Sequence, residues 1–110
     1  YGHFPLMISR ACPVKFEIGC AGCQKSGHVS LTDRKGKKFN VMCSHETSQI
    51  FNSVPINTAD KLDEFKTIEY CELYFTTESE SECYKIIRQY ANRKAPEGEF
   101  TRGIYFRQLK

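Results

Sequence analysis

Cys12, Cys20 and Cys23 fall within twelve residues of one another, and Cys43 follows after a stretch that reads as a hairpin. This spacing constrains the fold more than any other feature of the chain. Residues 10–27 carry no sustained apolar period, so burial alone cannot offset the entropy of ordering them. They read as a loop, with Gly19 and Gly22 beside the Cys20-x-x-Cys23 pair. Two thiolates separated by two residues converge on one ion without straining the chain, and glycines ease the turn. Cys43, arriving from the hairpin, is the first choice for a fourth ligand, and His45 the second.

Two other readings of the same cysteines stay open. A redox Cys-x-x-Cys belongs at the N-terminus of a helix in a βαβ unit, and Gln24-Lys-Ser-Gly27 does not open a convincing helix. Free cysteines also serve as small buried hydrophobes, which suits Cys71 in an alternating segment and Cys83 on a helical stripe. Metal or iron–sulfur ligation by Cys12, Cys20, Cys23 and Cys43 is the favoured reading. Sulfur ligands alone do not choose between Zn²⁺ and a [4Fe–4S] cluster. Six unevenly spread cysteines fit a reduced, cytoplasmic chain better than a secreted disulfide framework.

The fold class expected is α/β. Phe4–Ser9 reads as a buried strand, and 28–33 with 38–41 as a hairpin turning at Gly36. Gln49–Ser53 suggests a strand, and a short helix follows from Thr58 with Leu62 and Phe65 on one face. Tyr70–Phe75 alternates like a strand. Thr77 with Glu80 suggests a capping box for a helix carrying Cys83, Ile86, Ile87, Tyr90 and Ala91, which Ala95-Pro-Glu-Gly98 stops. Gly103–Phe106 suggests a last strand. Residues 10–43 thus form a cysteine loop and hairpin insertion, and after it comes a strand-helix-strand-helix alternation over 56–93, an order typical of parallel α/β architecture. The whole of 1–110 reads as one domain, or as a fragment of a larger barrel. Tyr1-Gly-His-Phe-Pro shows neither a methionine start nor a signal-peptide pattern. No apolar run approaches the roughly 20 residues of a membrane span.

Net charge is only +3, but it is segregated. Residues 1–59 hold seven basic and three acidic side chains, residues 60–82 two and eight, and residues 83–110 seven and two. Solvated faces explain most of this. Arg34, Lys35, Lys37 and Lys38, joined by Arg102 and Arg107, would make an RNA-facing patch, with Tyr105 and Phe106 for stacking. Glu78, Glu80 and Glu82 read as complements to a helix dipole rather than catalysts. No Ser-His-Asp order, HExxH or phosphate-binding glycine loop occurs.

Several segments in order resemble one family. They are Tyr1-Gly2, then Pro5-Leu-Met-Ile-Ser9 with Cys12-Pro13, Cys20 and Cys23, and Leu31-x-Asp-Arg-Lys-Gly36-x-x-Phe39. Ile50-x-Asn-Ser53-x-Pro55, Leu73-x-Phe-Thr76-x-Glu78 and Phe100-Thr-Arg-Gly103 complete the set. Together they resemble the collagenase-like peptidase family U32, in the later part of its core domain. The resemblance implies a barrel-type α/β fold with a cysteine-bearing loop, completed by the rest of a parent chain, and a protein substrate. Other relatives are similar to RNA- or quinone-hydroxylation proteins with cysteine-bound [4Fe–4S] clusters, to whose ligands Cys12, Cys20 and Cys23 correspond. A non-catalytic, zinc-stabilised interaction module is the contrasting expectation.

Overall fold

The computed structural model describes residues 1–26, 29–44 and 47–107, with the side chains of 22–26 and 44 excepted. The chain is mixed α/β and divides into two compact units, Phe4–Ser53 and Tyr1–His3 with Val54–Lys110.

The first unit is a four-stranded antiparallel sheet in the order β1-β4-β3-β2. Its strands are β1 (Pro5–Ser9), β2 (Val29–Thr32), β3 (Lys38–Ser44) and β4 (Thr47–Phe51). The hairpin expected from alternation forms, pairing Val29 with Val41 and Leu31 with Phe39. Asp33 Oδ1 accepts the Lys35 and Lys37 amides, and Gly36 takes φ 77°, a conformation that costs glycine little. Val14, Val41, Phe51 and the polar Ser48 are buried here.

Two expectations are corrected in this unit. The cysteine segment is not all loop, because helix α1 runs over Lys15–Ser26. The missing apolar period did not forbid a helix, since i→i−4 bonds are local and need no buried stripe. Gly19 interrupts it at φ 66°, ψ 171°, values few other residues would accept. β1 forms but is not buried, with Phe4 57% and Ile8 64% exposed. It is an edge strand paired with β4 alone, so its apolar composition marks a face that these residues do not cover. The sheet is antiparallel throughout, as the expected hairpin requires.

The second unit keeps the predicted alternation in reduced form. Isolated bridges join Gly2 to Ile56 and Tyr74, and Ile56 to Thr101. Between them lie a 3₁₀ helix (Ala59–Glu64) and helix α2 (Glu80–Ala91). The strand expected over Tyr70–Phe75 is a single bridge at Tyr74. Alternation supplies a strand's side chains but not the neighbour its backbone must bond, and Gly2 offers one pair before turning its other edge to Ile56. Gly103–Phe106 is a turn rather than a strand. Ala59, Ile86 and Tyr90 form the core, with Tyr1, Leu62, Leu73 and Phe75 packed against it.

The capping box of α2 lies two residues later than expected, at Ser79 and Glu82. Thr77 cannot serve, because its amide and that of Thr76 both donate to the Glu78 carboxylate. The helix ends at Asn92, before Ala95-Pro96, with Arg93 at φ 54°. Among the described residues no helix is long and apolar enough to cross a membrane.

Candidate metal centre

The sheet unit brings together two cysteines thirty-one positions apart. Ser48 in β4 lies between Ser9 of β1 and Cys43 of β3 in the ladder. Its buried hydroxyl donates to the Ala11 carbonyl at 3.1 Å, and the Ala11 amide donates back to Ser9 Oγ at 3.1 Å. These bonds fold the chain over as it leaves β1 and carry Cys12 toward β3. The Cys12 carbonyl then accepts the Lys15 amide as α1 begins. The result is a Cys43 Sγ–Cys12 Sγ distance of 3.9 Å, with Cys12 half-buried and Cys43 exposed.

That separation is chemically informative. A disulfide needs about 2 Å. Two ligands of one tetrahedral zinc, each at about 2.3 Å, are about 3.8 Å apart. Two cysteines on different irons of a cluster are roughly 6 Å apart. The pair therefore fits the edge of a single-ion tetrahedron.

The other expected ligands are placed differently. Cys20 is exposed and follows the Gly19 break in α1. The backbone of Cys23 lies three residues further along that helix, and its side chain lies outside the described residues. His45 and His28 also lie outside them. Among the described residues no three His, Cys, Asp or Glu side chains are grouped to hold a metal. Cys71 is exposed, and Cys83 donates weakly to the Glu78 carbonyl at 4.0 Å.

Because Ser48 holds the Ala11 carbonyl inside the sheet, Ser48→Ala leaves a buried acceptor unpaired. A loss of about 1–2 kcal/mol is expected in urea unfolding.

Polar clusters in the second unit escaped the sequence reading. Glu78 is a nearly buried hub rather than a dipole complement. Its Oε1 accepts the Tyr1 hydroxyl at 2.9 Å and lies 3.6 Å from His3 Nε2, while Oε2 takes the Thr76 and Thr77 amides. Burial first, and then the bond to Glu78, push the Tyr1 phenol well above its ordinary range. These contacts span 75 or more positions, and no local pattern announces them. Glu82 fills the capping box, and the Ser79 amide holds its carboxyl below the usual range.

Arg102 is engaged within its own unit rather than displayed for a polyanion. Its guanidinium binds both Asp60 oxygens and the Asn57 carbonyl, and stacks over Phe100 at 4.7 Å. The hydrogen bond from Arg102 is the main cause that lowers the Asp60 carboxyl. A lowered carboxylate stabilises the fold above its unfolded value of about 3.9, and that contribution disappears as pH falls through the folded value. Thermal melts of Arg102→Met should show a loss of about 1 kcal/mol at pH 7, shrinking toward zero below pH ~3. A pH-independent deficit would assign the effect to packing.

No family model, curated protein or solved structure matches the chain.

Proposed function

We propose that this chain is the metal-binding portion of a U32-type, collagenase-like peptidase, and that Cys12 and Cys43 hold one zinc ion there. The observation carrying this reading is the 3.9 Å approach of two thiols thirty-one positions apart. Cys20 and Cys23, with His45 as the alternative, supply the remaining ligands. The role of zinc here is to tie the segment before α1 to the hairpin. A small unit has particular use for such a crosslink, because chains of this size bury too little apolar surface to be comfortably stable.

The partner proposed first is the rest of the parent chain, which would complete a larger barrel. The uncovered apolar side chains of β1 support it. The substrate proposed is a protein, and the compartment the cytoplasm, where thiols stay reduced.

Anaerobic purification followed by zinc, iron and sulfide analysis tests the reading. One zinc per chain is expected. Four irons with four sulfides would replace it with the hydroxylase alternative acting on RNA or a quinone. A metal-free, folded chain would remove it.

A further inference from the structure

The contact between Cys12 and Cys43 carries chemistry of its own, with or without an ion. Cys43 is exposed on β3, Cys12 is half-buried between β1 and α1, and their sulfurs stand 3.9 Å apart. An S–S bond of about 2.05 Å lies about 2 Å inside that separation. Cys12 can make most of the movement. It belongs to neither β1 nor α1, so its side chain can turn toward β3 without breaking a ladder bond. Cys43 is held in place by its pairing with Ser48.

Exposure sets the order of events. Cys43 meets a dissolved oxidant first, and Cys12 sits beside it to capture the product before a second oxidation. We propose that Cys12 and Cys43 form an oxidation site, at which a hydroperoxide converts the two thiols into one intramolecular disulfide. With hydrogen peroxide, the Cys43 sulfur attacks one oxygen. An S–O bond forms, the O–O bond breaks, and the departing hydroxide takes the thiol proton and leaves as water. The Cys12 sulfur then attacks the Cys43 sulfur. The S–S bond forms, the S–O bond breaks, and the second hydroxide takes the Cys12 proton and leaves as water. Each sulfur gives up one electron, and the peroxide takes both. Two molecules of a small thiol such as glutathione reverse the change and become a disulfide themselves, which suits a transient bond in a reducing compartment.

The same two sulfurs are those assigned to zinc, so oxidation and ion binding exclude each other. A disulfide sulfur has no thiolate charge left for a metal. Release of the ion on oxidation rests on the zinc reading above, whereas the disulfide does not.

The test exposes the reduced full chain to excess hydrogen peroxide, with and without a chelator. Remaining thiols are then alkylated, crosslinked peptides are mapped by mass spectrometry, and freed zinc is followed with a colorimetric dye. A Cys12–Cys43 crosslink is expected, forming at least about tenfold faster than Cys71, exposed in the other unit, is oxidised. Cys12→Ser should stop at the sulfenic acid of Cys43, which dimedone traps, and Cys43→Ser should slow modification of Cys12 about tenfold. If neither variant folds, the wild-type crosslink map decides alone. One zinc released per disulfide is expected without chelator. A disulfide with no zinc released keeps the oxidation site and removes the zinc reading. A chain that holds zinc but gives no Cys12–Cys43 crosslink in either arm, or one whose first crosslink joins Cys20 to Cys23, would overturn the proposal and leave the zinc reading standing.

Discussion

Replacing Cys43 with serine is expected to abolish stoichiometric zinc binding and lower the melting temperature by roughly 10–20 °C, equivalent to about 2–3 kcal/mol. Serine keeps the size of the thiol but is a far poorer ligand for zinc. Cys12→Ser should match it, because one ion needs both sulfurs, and the double variant should be little worse than either single one. Cys71→Ser serves as the control, since Cys71 is exposed and outside the proposed ligand set. Adding a chelator to the wild-type chain should reproduce the Cys43→Ser melting curve. Additive losses in the double variant, with no change on chelation, would mean that the sulfurs only pack.

Phe51→Ala is expected to cost about 3–5 kcal/mol, enough to unfold the sheet unit in solution. Phe51 is 2% exposed, and among the described residues only Val14 and Val41 join it as buried apolar residues there. Removing a ring from so small a core takes away a large share of its buried surface and leaves a cavity that the strands cannot close. Phe51→Leu should cost less than half as much, because volume is the quantity that matters. Hydrogen exchange of the β3 and β4 amides measures the effect unit by unit. If those amides stay protected in Phe51→Ala, the sheet does not depend on this core. Zinc should partly rescue the variant, because an ion that binds only the folded unit shifts its equilibrium by mass action.

The sequence by itself determined those elements whose signals are local. The β2–β3 hairpin followed from alternating Val29 and Leu31 against Phe39 and Val41, with Gly36 in the turn. The α2 helix followed from the helical spacing of Cys83, Ile86, Ile87, Tyr90 and Ala91, of which Ile86 and Tyr90 are buried while Ile87 and Ala91 are exposed. Its cap was missed by two residues, because Ser79 and Thr77 offer the same chemistry and only Glu78's bonds to the preceding amides separate them.

Tertiary structure decided whatever depends on a partner far along the chain. Spacing singled out Cys12, Cys20, Cys23 and Cys43 as candidate ligands, but among the described side chains the pair brought together is Cys12 with Cys43, which the ladder through Ser48 selects. The apolar run Phe4–Ser9 announced a strand, whereas its exposure follows from its place at the edge of the sheet. Tyr70–Phe75 has a strand's alternation and lacks a strand's neighbour. Glu78, Arg102 and Gln89 look like surface residues in the sequence. Each gains its role from groups more than thirty positions away, because a buried polar side chain is defined by the partner that satisfies it.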